Sequence, residues 1–372
     1  MSKPIRVLQV FAQMNRGGAE TMIMNLYRNI DRSRIQFDFI VHTEDECDYD
    51  EEIKTLGGTI HRVPRYTGKN HFQYKKAWFD FFRFYPEYKI IHGHVRSTAS
   101  IYLKVAKNYG LTTIAHSHST SSGKGVTAIT KNILQYPIRY TADYLFACSK
   151  SAGEWLYGKG ASSKNNFYVL SNAIDAVKYI YDENIRLEKR KEFQIENKLV
   201  IGHVGRFSPP KNHTFLIDIF KTVHDKNENA VLLLVGDGEQ RSLIETKVNE
   251  LGLYDNVIFT GIREDIPELL QAIDIFLFPS IYEGLPVTLV EAQASGLPCV
   301  ISDRITEEVA VTNSIRFISL EEKVEYWAET VLEISSSYKR DNNYLNIVES
   351  GYDIKSVTKW YAEFYGSKVK DA

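Results

Sequence analysis

Two cations five residues apart follow an apolar run in Ile201-Gly-His-Val-Gly205-Arg206-Phe-Ser-Pro-Pro-Lys211-Asn212. A positive pair at the end of a strand suits a diphosphate, because each group adds charge-assisted hydrogen bonds. A solvated lysine is the plainer account of Lys211 taken alone. It is weaker for Arg206, which directly follows a run that reads as buried. Further on, Phe278-Pro279-Ser280-Ile-Tyr-Glu283-Gly284-Leu285-Pro286-Val287-Thr288-Leu-Val-Glu291-Ala292 sets two carboxylates eight positions apart. Pro286 suits an early helical position. The N–H groups of Gly284, Leu285 and Val287 at such a helix start can meet a phosphate. A carboxylate is a natural bidentate partner for the vicinal hydroxyls of a ribose, as acidic residues are in dinucleotide folds. The competing readings are a dipole-complementing acid for Glu283 and a solvated helix position for Glu291.

Glycines punctuate other strand ends. Gly236-Asp-Gly238 follows Leu234-Val235, and admits either a ligand or a neighbouring loop. Phe259-Thr-Gly261-Ile262 offers backbone groups to a planar base. Near the start, Gly17-Gly18-Ala19-Glu20 precedes a helical run, whose free N–H groups and dipole favour an anion. None of these is G-x-G-x-x-G, which argues against a nicotinamide cofactor.

Two H-x-H pairs, His92/His94 and His116/His118, could meet at adjacent strand ends and hold zinc. No carboxylate ligand accompanies them at a third strand end, so no metal is expected there. Asp48-Tyr-Asp50 has the D-x-D form of a metal motif. It lies in the acidic run 44–52 and is most simply a solvated loop. Cys47, Cys148 and Cys299 are odd in number and widely spaced, which fits thiols in a reducing compartment.

The elements that must carry these groups alternate. Apolar runs at Ile5–Phe11, Phe37–Val41, Thr59–Arg62, Ile90–His92, Thr112–Ala115, Tyr144–Cys148 and Phe167–Leu170 read as strands. A second series follows at Leu199–Val204, Ala230–Val235, Val257–Thr260, Ile275–Phe278 and Cys299–Ser302. Helical patterns separate most of them, which predicts parallel sheets with helices on both faces. The restart after the charged stretch 182–198 predicts two α/β domains. A length of 372 residues also exceeds one ordinary core. Ligands of such sheets sit beyond the carboxyl ends of the strands, where the groups above fall.

With 44% hydrophobic and 25% charged residues the chain reads as a soluble globular protein. It shows neither a bilayer-length apolar run nor a signal peptide, so the expectation is cytoplasmic. A net charge of −2 conceals an asymmetry. Residues 1–180 hold 24 Lys and Arg against 15 Asp and Glu, a balance of +9, and the remainder holds 21 against 32, a balance of −11. The halves either attract each other, or the basic one faces an anionic membrane or lipid pyrophosphate. Nothing points to nucleic acid. The aromatic and basic segment 70–89 reads first as a crossover helix and second as a membrane-surface helix.

Gly205-Arg206 with Lys211, Gly236-x-Gly238, Phe259-x-Gly261, and Glu283 and Glu291 in E-x7-E together resemble the donor domain of retaining glycosyltransferase family 4. The N-terminal half resembles that family more loosely, through Gly17-Gly18-Ala19-Glu20, Ile91-His92-Gly93-His94 and Ser171-Asn172-Ala173-Ile174-Asp175. Ala173 stands where the family has glycine. The likeness is nearest to bacterial capsule and exopolysaccharide enzymes. It implies the GT-B fold: two Rossmann-like domains facing across a cleft, over residues 1–175 with 353–372 and over 176–352. A final helix at about 354–366 would cross back onto the N-terminal domain.

By the same resemblance the donor is a nucleotide sugar, UDP-linked, with no cofactor and no essential metal. The acceptor is a saccharide, lipid-linked, met at the inner face of the membrane. Arg206 and Lys211 would neutralise the diphosphate, Glu291 would hold the ribose, and Glu283 would touch the transferred sugar. An active-site histidine is expected at His116 or His118. Family members often read G-I-P-x-x-x-T-x-H there, and counting from Gly110 favours His118. Two alternatives share parts of this pattern: a non-catalytic sugar-nucleotide-binding partner and a nonhydrolysing sugar-nucleotide epimerase. The phosphate cations and Glu283 argue against the first, and the motif set argues against the second.

Overall fold

The structure, a computed structural model, describes residues 3–119 and 125–370. The chain divides into two compact units, residues 1–173 with 354–372, and residues 174–353.

The first unit holds strands β1 (Ile5–Phe11), β2 (Ile35–Val41), β3 (Ile60–Arg62), β4 (Ile90–Gly93), β5 (Thr112–Ser117), β6 (Tyr144–Ala147) and β7 (Phe167–Val169). Their order is β3-β2-β1-β4-β5-β6-β7, and every pairing is parallel. The second unit holds β8 (Leu199–Val204), β9 (Ala230–Val235), β10 (Val257–Gly261), β11 (Ile275–Phe278), β12 (Cys299–Ser302) and β13 (Ile315–Ile318). It is again fully parallel, in the order β10-β9-β8-β11-β12-β13. Helices cover both faces of such a sheet, so its inner strands are largely apolar. β9, Ala-Val-Leu-Leu-Leu-Val, is buried at every position.

The order in which strands are added reverses between β1 and β4 in one sheet and between β8 and β11 in the other. These switch points leave a crevice at the carboxyl edge, where ligands of open α/β sheets bind.

Two segments differ from the sequence reading. β13 escapes it because it is an edge strand of four residues with an exposed Arg316 in its middle. The charged stretch 182–198 is not a bare linker. It contains a helix, Glu183–Glu192, whose N-terminus is capped by the Asp182 side chain. Arg186 and Arg190 of that helix both bond to Asp274, each at 2.5 Å, which ties it to the second unit.

The segment 70–89 forms the helix His71–Phe84 between β3 and β4 and buries Tyr74, Trp78, Phe81 and Phe82. It is a crossover helix. The last helix, Ile354–Lys370, belongs to the first unit and seats Tyr361, Phe364 and Tyr365 on the sheet. Those aromatics recur at i, i+3 and i+4, the spacing of one buried helical face. Tyr365 meets Phe37 of β2 edge-on, with ring centroids 6.0 Å apart.

Candidate active site

In the second unit the β8–β11 switch point gathers most of the singled-out residues. Lys211 lies in a short turn, Pro209–Lys211, beyond β8. Its ammonium sits 2.8 Å from Glu283 Oε1 and 4.5 Å from the centroid of the Phe278 ring. Lys211 and Glu283 are only 16% and 17% exposed, so the solvated-lysine reading of Lys211 fails. Arg206 is the exposed cation of the two, at 73%, and it reaches Glu239 at 3.1 Å. The weighting from sequence is thus inverted: burial of β8 does not extend to the side chain that follows it.

Glu283 comes from the loop after β11, and the helix Val287–Ala294 follows with Pro286 as its N-cap. Pro286 is therefore one position outside the helix rather than in its first turn. Glu291, in the second turn, is not a solvated helix residue. Its Oε1 accepts a hydrogen bond from the Tyr179 hydroxyl at 2.7 Å. Burial pushes its carboxyl above the usual range, and the Tyr179 bond opposes that. Nothing in the sequence announces Tyr179, which lies in the turn Ala176–Tyr179 just past the Asn172-Ala173-Ile174-Asp175 segment.

Gly236 and Gly238 serve a close approach between two strand-end loops. Gly236 has φ +131°, and a Cβ there would lie 2.2 Å from the Gly205 carbonyl oxygen. A Cβ on Gly238 would lie 2.5 Å from the Phe207 oxygen. Two backbone bonds close the contact, Gly205 N–H to Val235 O at 2.9 Å and Phe207 N–H to Asp237 O at 3.0 Å. Past β10 the Ile262 side chain stands 74% exposed, an apolar edge beside that strand end.

In the first unit Gly17 caps the helix Gly18–Asn29. The Glu20 carboxylate folds back over it: a Cβ on Gly17 would lie 2.4 Å from Glu20 Oε2. The chain's own carboxylate therefore stands at the helix start, and an incoming phosphate would have to displace it. Burial raises the pKa of Glu20, which makes such a displacement less costly.

The two H-x-H pairs do meet, at the carboxyl ends of the neighbouring strands β4 and β5. His92, His94 and His116 bring ring nitrogens within 4.8 Å of one another. Most of these nitrogens are engaged in hydrogen bonds, but His116 Nε2 is buried with no hydrogen-bond partner among the described residues. His94 Nε2 faces Gln9 Oε1 at 3.0 Å, and His94 Nδ1 faces His118 Nε2 at 2.7 Å. His92 Nε2 faces His116 Nδ1 at 3.2 Å, and His92 Nδ1 faces the Tyr365 hydroxyl at 2.7 Å. Because the Gln9 oxygen can only accept, His94 carries its proton on Nε2, and His118 donates to His94 Nδ1. Burial and repulsion from neighbouring rings hold His92, His94 and His116 well below the ordinary histidine pKa, and burial with the Arg96 charge holds His118 at about 3. All four are neutral at pH 7. His116 is fully buried, whereas His118 is partly exposed.

Asp48 and Asp50 do not converge on a common point. Asp48 accepts from the Arg16 N–H at 3.0 Å, and Asp50, buried, meets Arg62 at 3.2 Å. Most acids of their run (Glu44, Asp45, Glu46, Asp48 and Glu51) are exposed, and only Asp50 is buried. The cysteines are free and buried.

Two parallel, doubly wound units of this kind define the GT-B class. The chain belongs to glycosyltransferase family 4 and is a glycosyltransferase. Residues 16–178 match the family profile described as Glycosyltransferase Family 4, and residues 185–350 the one described as Glycosyl transferases group 1. The glycosyltransferase EpsF of Bacillus subtilis (strain 168) is 36% identical over 356 residues, covering 94% of this chain and 93% of that one. The UDP-Gal:alpha-D-GlcNAc-diphosphoundecaprenol alpha-1,3-galactosyltransferase of Escherichia coli is 28% identical over 208 residues, 55% of this chain and 52% of that one. Anabaena HepE, crystallised with UDP, superposes with a TM-score of 0.82 at 18% identity, covering 98% and 100% of the two chains. Its complex with UDP-glucose gives 0.78 at 18% identity, with the same coverage.

Proposed function

We propose that this enzyme moves a hexose or N-acetylhexosamine from a UDP-sugar to a lipid-linked saccharide during polysaccharide assembly, with retention at the anomeric carbon. The observation that carries this reading is the shielded Lys211–Glu283 pair at the β8–β11 switch point, with the half-buried Glu291 on the next helix. HepE binds UDP and UDP-glucose, and the Escherichia coli relative acts on a diphosphoundecaprenol-linked sugar. Both support the choice of donor and acceptor.

In this reading the second unit is the donor side and the first unit the acceptor side. The bond between the anomeric carbon and the β-phosphate oxygen breaks, and negative charge grows on that oxygen. Lys211 and Arg206 stabilise it, together with the N–H groups of Gly284, Leu285 and Val287. Gly205 lets the backbone approach the diphosphate. Glu291 accepts hydrogen bonds from the ribose, with Tyr179 fixing its other oxygen. Ile262 packs beside the base. Glu283 and His118 contact the transferred sugar. The acceptor hydroxyl attacks on the face from which the diphosphate departs, and its proton passes to the leaving oxygen. These cations take the part a divalent metal plays elsewhere, so no metal is required. The enzyme works at the inner face of the membrane. No helix among the described residues is long and apolar enough to cross a bilayer.

A thermal-shift panel of UDP-, GDP- and ADP-sugars, followed by transfer assays with the donor that shifts the midpoint, tests the reading. UDP-sugars should raise the midpoint, and nucleotide alone should raise it less. No shift with any nucleotide sugar would overturn it.

A further inference from the structure

The helix Val126–Gln135 continues through Tyr136 and Pro137 into a short helix, Ile138–Thr141. Ala128, Gln135 and Ile138 face inward. Ile129, Ile133, Tyr136 and Tyr140 face outward, exposed by 61%, 68%, 53% and 71%. These positions are i, i+4, i+7 and i+11, which at 3.6 residues per turn fall within about 60° of one another. They form one apolar stripe, capped by the paired rings of Tyr136 and Tyr140, whose centroids are 6.1 Å apart. A soluble surface helix normally turns such a stripe to the core.

The charge around the stripe says what it meets. From Tyr88 to Ala142 the chain has no Asp or Glu, yet it has seven Lys and Arg, of which Lys107 pairs with Asp143 just beyond. Arg139 lies beside the stripe, its guanidinium 4.2 Å from the Tyr136 ring centroid. An exposed row of isoleucines and tyrosines in an acid-free basic segment has the make-up of a helix lying in the plane of an anionic bilayer. Tyrosine suits that boundary, with an apolar ring and a wet hydroxyl.

The helix 71–84, the other aromatic and basic segment, exposes Phe72 and Phe84 at 86% and 68%, but at its opposite ends rather than as a stripe. It turns Tyr74, Trp78, Phe81 and Phe82 into the core. Arg62 is paired with Asp50, and Lys76 and Arg83 with Asp80.

The same outward-facing helix also walls a site. Thr130, Lys131 and Leu134 line a cavity of about 680 Å³ together with Thr43, Arg65 and Tyr66. A lipid anchored under the stripe would deliver its polar head to a pocket bearing two cations, one carboxylate (Asp45) and several hydroxyls.

We infer that the stripe Ile129, Ile133, Tyr136 and Tyr140 docks this enzyme onto an anionic membrane surface. The docking surface stands independently of the donor assignment. Its purpose, presenting a lipid-linked acceptor, rests on the function proposed above.

The experiment is flotation of the full chain with vesicles of phosphatidylcholine alone and with phosphatidylglycerol added, at low and high salt. Wild type should float with the anionic vesicles and be largely released by salt. Ile129→Asp with Ile133→Asp should float at least tenfold less, while keeping its melting midpoint and its thermal shift with UDP-sugar. Ile133→Trp reports insertion directly, through a blue shift of its emission on adding anionic vesicles. Tyr136→Ser with Tyr140→Ser repeats the loss should the aspartates unfold the helix. Wild-type levels of flotation by both double variants, or no blue shift, would overturn the proposal. So would a wild type that ignores vesicles and sediments as a dimer which Ile129→Asp makes monomeric, because the stripe would then join two copies of the chain. Since no donor enters the flotation assay, its failure is separate from failure of the UDP-sugar reading.

Discussion

Lys211 and Glu283 hold each other at 2.8 Å in a setting only 16–17% exposed. The pair joins the loop after β8 to the loop after β11, across the switch point. Each neutralises the other in the free enzyme, so a diphosphate arriving at Lys211 competes with Glu283 for the ammonium. Glu283 is then freed toward the donor sugar. Lys211→Ala is expected to cut turnover by roughly 10² or more, since it removes a fixed stabiliser of developing charge. Arg206→Ala is expected to do the same, although its side chain is exposed, because a leaving diphosphate would draw it in. Steady-state kinetics with unchanged circular dichroism check both. Full activity in either variant would remove that residue from the diphosphate site.

Glu291 and Glu283 should separate by ligand. Glu291→Ala should weaken UDP and UDP-sugar alike, because in the proposed site it meets the ribose that both contain. Glu283→Ala should spare UDP and weaken only the UDP-sugar. Tyr179→Phe removes one hydrogen bond to a carboxylate, which contributes about 1.5–3 kcal/mol. It should follow Glu291 in pattern with a smaller loss. Titration calorimetry with the two ligands decides this, and equal losses for both ligands in all three variants would refute the division.

Full turnover is expected in excess EDTA. The Asp48 and Asp50 carboxylates are engaged by separate partners, and His92 and His94, two of the three clustered rings, use both nitrogens in hydrogen bonds. Assays before and after chelation, with metal content measured on the same sample, test this. Loss of activity restored by manganese would reassign the acidic motif. Loss restored by zinc would make His92, His94 and His116 ligands.

The apolar runs made most strands legible, since parallel strands buried on both faces need unbroken Val, Ile and Leu. β13 was not legible because an edge strand carrying Arg316 lacks that signal. The donor-side residues were legible as types at strand ends, but not their exposure. Whether a side chain after a buried strand turns inward depends on its loop, and here Lys211 turns in while Arg206 turns out. Partners distant in the chain were invisible. Glu291 finds Tyr179 112 residues away, and His92 finds Tyr365 273 residues away. No local pattern encodes such pairs, because they exist only once both elements have docked.

The histidine cluster should make the first unit sensitive to acid. In the unfolded chain each ring titrates near 6.5, whereas the folded unit holds His118 at about 3 and the other three well below their ordinary value. Between those limits the unfolded state binds more protons, so stability rises with pH there. It is fully present above roughly pH 7 and is lost as pH falls through 6 and 5. Each ring contributes a slope of up to about 1.4 kcal/mol per pH unit. His42, held at about 4 by burial in the same unit, adds to the effect. Hydrogen exchange at β4 and β5, measured from pH 8 to pH 5 and corrected for the intrinsic exchange rate, reads the unit where the cluster sits. Protection should fall with pH in wild type. His92→Gln with His116→Gln should start lower at pH 8, having lost two buried hydrogen-bonding rings, and then fall less steeply. A wild-type profile that is flat down to pH 5 would mean the cluster accepts protons in place, and the neutral assignment of His118 would fall with it.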